Sequence, residues 1–599
     1  MNSVNAIKGK IKILVIAFAG VLLMSSLQKV MAQLPVQTML REKGLLRQKE
    51  KDSVDRFLRP DSYYLNKEEK LDRQRALYMQ EIGKSWLKGT RSSLTALVQD
   101  SIKDAGELEV GFNGYKGGLH NPQAAFEQKN ANLSTWGIRQ LGRIKLAGYF
   151  SFDRVWEDSL SNNLSSHLDG RTPYYYFAGK AGKFQRQIYN MGFLLGYDVL
   201  KDRLYLGLGA DYMHNSSTGS VDPRPEDNWM QAIFKPGLTY KKGNTLVGLS
   251  LIKGYGRDDI SIKYKNKMFE TGNANPDRDY YLNMGYGSIV KKNDLVYDQV
   301  EDHEGVSLDF ARHWNRIKKS YILRGAFTYQ KSYTDSRYQP DTLLIYDKLA
   351  RWSEGTYNGS LQFKTSSNTR TSLWDFVFNR FKGHDSNTIF GGRNYFSTDN
   401  HLGVRFMQFR SAKIKDGYAS IQDVKQNDLK TVQISKNTLS WEWGGHAYYN
   451  ELNRQDILAA HSLDGENLEA GLSGAVYIPE KNFSLWKFSL NAGLWYPLTM
   501  QASVPGTQQN YFTTQIFYPI INYLSTPKIN ADFSLGYSSP KLIKGVYSGF
   551  ELQAGYEKGL NVKEGLGTLE LPAGIDLSQY NPSGKAHRLF ISLAFKLYL

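Results

Sequence analysis

Between Gly106 and its carboxyl end the chain repeats with a period of two residues, which restricts it to strands with two unlike faces. From Ile529 to Tyr537 the odd positions are Ile529, Ala531, Phe533, Leu535 and Tyr537, and the even ones Asn530, Asp532, Ser534 and Gly536. Side chains alternate across a strand, so this is one apolar and one polar face. Leu204 to Tyr212 and Phe550 to Tyr556 repeat the pattern. A soluble sandwich also alternates, but it buries bulk inside and shows charge outside. Here one face is aliphatic and aromatic, while the other is glycine, small polar and acidic residues, as expected for lipid on one side and water or packed polar groups on the other. A mean hydropathy of −0.48 leaves no room for a polytopic helical protein, which needs repeated runs of about 20 apolar residues. The expected fold is all-β, a transmembrane antiparallel barrel.

The connections predict the strand number. Short ones fall at Leu200 to Asp202, Lys242-Gly243, Asn315 to Lys319, Ser366 to Asn368, Pro479 to Asn482 and Ser539 to Gly545. Long ones fall at 158–183, 215–227, 255–304, 334–354, 380–399, 451–466, 496–527 and 559–586. Short periplasmic turns with long external loops are the bacterial outer-membrane pattern. The spacing predicts 18 strands, with 16 as the alternative. Two places decide between them: Leu133 to Gly142, where a turn at Gly142 is very tight, and Ser411 to Ser435, where a further hairpin would fit.

The amino-terminal part is organised differently. Lys8, Lys10 and Lys12 precede an apolar run from Ile13 to Met24, and Val30-Met31-Ala32 offers small residues for cleavage. Residues 1–32 therefore read as a secretory signal peptide, whose removal lowers the formal charge from +17 to +13. Residues 33–106 are rich in charge and poor in glycine. Leu71, Tyr78, Ile82 and Trp86 recur at helical spacing, and Arg59-Pro60-Asp61 separates them from an earlier helix around 37–57. This segment reads as a helical periplasmic extension or a plug, followed by a barrel over 107–599. Helical periodicity does not say where a helix docks.

The final strand carries a second signal. Leu589, Ile591, Leu593, Phe595, Leu597 and Leu599 form an apolar face opposite Ser592, Ala594 and Lys596. It resembles the carboxyl-terminal insertion signal of outer-membrane barrels, which implies the barrel-assembly machinery as a partner. The usual terminal aromatic is replaced by Leu599, with Phe595 and Tyr598 close by. Signal peptide, charged helical preface, aromatic barrel and absence of cysteine together resemble the large uncharacterised outer-membrane barrel families of Bacteroidota. That resemblance implies an outer-membrane location and an expectation of nutrient uptake.

Chemistry is sparse. With no cysteine, disulfides, thiolate metal sites and Cys nucleophiles are excluded. Zinc-peptidase, nucleophile-elbow and phosphate-loop motifs are missing, so no enzyme and no cofactor is expected. Asp302-His303-Glu304, considered for a base or a cation site, reads as solvated loop. Asp258-Asp259 and Asp277-Arg278-Asp279 are considered for a divalent cation, without a calcium-loop motif to support either. The charged residues on the polar phase of the strands are the candidate lumen lining: Asp211, Arg324, Arg405, Glu442, Glu469, Lys487, Asp532, Glu551 and Lys596. The basic surplus fits outer-leaflet lipid and lipopolysaccharide phosphates rather than nucleic acid. Aromatic runs at Tyr174 to Phe177, Tyr511-Phe512 and Phe517-Tyr518 either present rings to a sugar or surface partner, or fold inward over the mouth. The functional expectation is a channel or nutrient-uptake component for small solutes. The alternative is a non-transporting barrel that anchors a surface complex, such as a lipoprotein or transporter partner, through its loops. A 22-strand, TonB-dependent form is disfavoured, because 107–599 would give such strands only about 22 residues each with their connections and residues 34–106 are short for a plug domain.

Overall fold

A computed structural model describes residues 81–599 except 272–274, 292–295, 318, 340–346, 368–369, 411–439, 481–483, 544–545, 562–568, 580–585 and 599. The signal peptide, the helix expected at 37–57, and Leu71 and Tyr78 lie outside the described residues.

Eighteen long strands form the wall. They are β1 (Asp104–Gly117), β2 (Glu127–Leu141), β3 (Ile144–Leu160), β4 (Gly182–Leu200), β5 (Leu204–Gly219), β6 (Arg224–Lys242), β7 (Thr245–Lys263), β8 (Val296–Arg316) and β9 (Lys319–Gln339). Then follow β10 (Asp347–Ser366), β11 (Arg370–Asn387), β12 (Tyr395–Arg410), β13 (Ser440–Asp456), β14 (His461–Pro479), β15 (Leu485–Ser503), β16 (Lys528–Ile543), β17 (Val546–Gly559) and β18 (His587–Tyr598). Each pairs antiparallel with the next, and β18 pairs with β1 to close the barrel, Glu107 opposite Tyr598 and Gly117 opposite Arg588. Closure removes both sheet edges, which a structure in lipid requires.

The doubt at Gly142 resolves in favour of 18. Gly142 sits at φ +59°, where glycine is unstrained, and so lets residues 142–143 join two separate strands. The hairpin considered at 411–435 lies outside the described residues, but it adds no strand to the wall because β12 pairs directly with β13. β1 begins at Asp104, three residues before the expected boundary.

Several expected loops are strand. Residues 215–227, 334–339, 347–354 and 451–466 continue the ladder almost to its tips, and the two ends of 255–304, residues 255–263 and 296–304, belong to β7 and β8. Strands of up to 21 residues exceed the 9–11 that cross a bilayer. Beyond the lipid, polar side chains pair across the sheet, as Arg351 does with Asp335 opposite it at 2.7 Å. The ladder therefore outlasts the apolar alternation by which strands are recognised.

The outward phase is apolar and bare. Leu472 is 72% exposed, and Leu251, Leu490 and Ile591 show more than half of their surface, a belt that only lipid would cover. Arginine at Leu472, midway along β14, is expected to cost about 2 to 4 kcal/mol if it sits at the bilayer midplane. Arginine at the neighbouring Ser473, which lines the interior, should cost far less. Reversible unfolding of the two variants measures the difference; equal losses would put the strand phase in error.

Candidate functional site: a lumen closed at both ends

Two helices sit inside the end of the barrel that carries the short turns. α1 (Glu81–Thr90) and α2 (Leu94–Gln99) are joined by Arg91-Ser92-Ser93, and extended Ser93 caps α2 by accepting from the Ala96 amide at 3.2 Å. Trp86, Leu87, Leu94 and Leu97 are at most 3% exposed. Burial of each leucine contributes roughly 1.5–3 kcal/mol to seating the pair.

The wall is shaped to receive them. Leu94 lies against Gly196 of β4 and Gly207 of β5, and Thr95 against Gly248 of β7, so close that a Cβ on any of the three would fall within 3 Å of the helix. Thr95 also hydrogen bonds Thr239 of β6 at 2.9 Å. Across the lumen the Ile82 amide donates to Glu442 of β13 at 2.8 Å, and Ser85 to Asp375 of β11 at 3.3 Å. The hairpin thus spans the bore from one wall to the other.

One buried ion pair holds its centre. Asp100, just past α2, lies 3.1 Å from Arg324 of β9, with side chains only 4% and 5% exposed. The same carboxylate accepts from Trp86 Nε1 at 2.9 Å and Thr90 Oγ1 at 2.7 Å, and the Arg324 guanidinium stacks on the Trp86 ring. Burial works to raise the pKa of Asp100, but Arg324, the Thr90 hydroxyl and the Ile102 amide prevail and hold it below the ordinary 3.8.

The opposite end is closed by loops. Segments Tyr175–Ala178, Tyr280–Asn283 and Ile289–Lys291 form a small antiparallel sheet. A helical stretch, Thr513–Phe517 continuing into α3 (Tyr518–Ser525), packs beside it. Phe177, Phe512, Ile516, Phe517, Tyr518 and Ile521 are fully buried, against Trp352, Phe381, Tyr395, Leu463 and Met500 of the inner wall. Of the two readings of the aromatic runs, the inward one is correct: the rings cover the mouth, with Tyr511 stacked on Tyr281 at 4.9 Å. Asp456 at the tip of β13 pins the lid by accepting from the Tyr286 and Ser288 amides at 2.8 and 2.9 Å.

Between the closures a cavity of about 710 Å³ lies along β12 to β17. Lys487 and Lys596 both bond Glu551, the first at 2.9 Å. Asp532 accepts from Asn491 and Gln553, each at 2.8 Å. Glu469 lies 3.7 Å from His446. Arg405 donates to Asp375 through Nε at 3.0 Å and shares the floor with Glu442. Arg324 is taken by Asp100, and Asp211 stands apart from this cavity, bonded to Lys235 at 2.7 Å and Tyr149 at 2.8 Å.

Charge alone does not single out the amides. Asn450, Asn467, Asn491, Asn530 and Gln553 line the same space, and their place on the polar phase between charged residues was the available signal. Lys528 was also missed; its ammonium rests on Trp495 and Tyr523, 3.5 and 3.9 Å from their ring centres. With most acids and bases matched to one another, the lining offers hydrogen bonds without a dominant charge.

Lipid-facing belt, closed even-numbered wall and polar interior make this an outer-membrane barrel. Solved structures of similar form include the FrpB iron transporter from Neisseria meningitidis, with a TM-score of 0.33 and 10% identity over 84% of this chain and 82% of that one. The outer membrane transporter YddB from Escherichia coli gives 0.31 and 9%, over 82% and 80%. The siderophore receptor PiuA from Acinetobacter baumannii gives 0.32 and 8%, over 83% and 82%. No curated protein matches the sequence. A family model does match, across residues 94–599, from α2 through every strand of the wall, and the chain belongs to that family, described as "Family of unknown function (DUF6850)".

Proposed function

We propose that this protein is a gated outer-membrane channel for small polar solutes, shut at rest by the helical pair on the periplasmic side and by the loop lid outside. The observation that carries the reading is the seating of α1 and α2 on glycines of the inner wall, beneath a polar cavity. A helix that merely stabilised the fold would have no need of so wide a bore. Eighteen strands enclose an aqueous lumen unless something fills it. The short turns lie with the helices, which supports a periplasmic setting for that end. Outer-leaflet lipopolysaccharide then surrounds the loop end, the barrel-assembly machinery inserts the chain, and the protein is not an enzyme.

Swelling of proteoliposomes in a small neutral sugar tests the gate. A Cβ at Gly196 would lie 2.8 Å from the Leu94 side chain, with its next neighbours at 3.7 Å or more, so Gly196→Val should unseat α2 and swell several times faster than the unaltered protein. Identical rates would count against gating. The reading as a surface anchor draws on Ile389, Phe390, Ile457 and Leu458, exposed on adjacent hairpin tips. It requires a barrel that stays silent when both closures are removed.

A further inference from the structure

Where the loop 161–181 meets the wall, several buried oxygens converge. Asp227 of β6 and Asp258 of β7 are diagonal neighbours on the inner face, since Asp258 stands opposite Trp229. Both side chains are shielded from water, at 0% and 5% exposed. Ser217 of β5, 1% exposed, stands directly opposite Asp227. From the loop, the Ser166 amide donates to Asp227, and the Ser166 carbonyl accepts from Asn215 of β5 at 2.8 Å. Asp227 Oδ1, Asp258 Oδ1, Ser217 Oγ, Ser166 Oγ and Asn215 Oδ1 are all buried without a hydrogen-bond partner.

Two neighbouring carboxylates shielded from water cannot both stay ionised without a counter-charge. Of the basic groups nearby, Arg186 bonds Glu157 at 2.6 Å, and the His167 ring is stacked on Trp229 at 4.2 Å with its Nδ1 buried and without a partner. Glu301 and His303 are bonded to each other, to Trp229 and to Gln231. Beside that one nitrogen, the unpartnered atoms are all oxygen: two carboxylates, two hydroxyls and an amide carbonyl. Such a set suits a hard divalent cation. Calcium accepts six to eight oxygens in irregular cages, whereas magnesium insists on an octahedron and keeps its waters.

We propose that Asp227, Asp258, Ser217, Asn215 and Ser166 form a calcium site that fastens the 161–181 loop to the wall. Among the described residues no group of three or more His, Asp or Glu is arranged to hold a metal; this site has two acids, and neutral oxygens make up the rest. Asp258 is half of the acidic pair noticed in the sequence. Its partner there, Asp259, lies on the opposite face and bonds Arg257 at 2.8 Å. The site stands whether or not the barrel conducts.

The test uses the full-length barrel in detergent, stripped with a chelator and titrated with terbium, which replaces calcium and luminesces when a nearby tryptophan is excited. Saturable emission through Trp229 is expected, displaced by calcium and at least tenfold less readily by magnesium. Asp227→Asn and Asp258→Asn should each weaken calorimetric calcium binding tenfold or more, and Ser217→Ala several-fold. Trp229→Phe should lose the emission and keep the calcium heat. Heat-modifiable migration shows which variants are folded barrels. Absence of calcium heat in the unaltered protein, or the same isotherm for it and for folded Asp227→Asn or Ser217→Ala, overturns the site; equal competition by magnesium overturns the choice of calcium.

Discussion

Deleting residues 34–100 is expected to raise single-channel conductance in a planar bilayer, and removing the lid helix, residues 506–524, from the same variant to raise it furthest. The cut at 100 spares β1, which starts at Asp104 and closes the wall against β18. It removes both helices and Asp100, and leaves Arg324 facing water in the bore. The wall holds itself by its own ladders, so heat-modifiable folding should survive. The doubly shortened barrel should conduct roughly tenfold or more above the full chain, because a lumen of this width conducts unless filled. The single deletion should fall between them, since the aromatic lid still covers the other mouth. If the doubly shortened barrel folds and stays silent, the channel reading fails and the surface anchor replaces it.

What could be read from the residues was what alternation and turn chemistry encode. Leu204 to Tyr212 announced two unlike faces, and Leu206 and Leu208 are indeed bare to lipid while Gly207 faces α2. Gly142 and the other short links gave the strand number. Three things were not legible. The hairpins above the membrane read as loops because the apolar phase ends where lipid ends, although pairs such as Asp335 with Arg351 prolong the sheet. The fate of the aromatic runs depended on contacts between loops hundreds of residues apart, as with Phe177 and Phe512, on which local periodicity is silent. The seat of the helices lay in glycines spread over β4, β5 and β7, visible only once those strands are side by side. Of the helix expected through Trp86 the described part, Glu81–Thr90, is helical, but α2 was missed: at six residues it is shorter than a recognisable apolar repeat.

Replacing Asp100 by alanine is expected to open the periplasmic gate without touching the wall. Loss of one member of a buried pair leaves the other charge unmatched, at a cost of about 3–5 kcal/mol. Here that cost falls on the seated state alone, because Arg324 is free to hydrate once the helices leave. Conductance of Asp100→Ala should therefore approach that of the 34–100 deletion. Adding Arg324→Met should restore the closed state, since an apolar replacement of both partners removes the unmatched charge and packs on Trp86. If the double variant is as open as Asp100→Ala, the pair is not what holds the hairpin. Acid gives an independent reading of the same bond. The Asp100 pKa is lower when seated than its ordinary 3.8, so its contribution is complete above about pH 4 and fades as pH falls through the seated value. The gate should stay shut from pH 7 to pH 5 and loosen only in stronger acid; opening between pH 7 and pH 5 would place the trigger on another group.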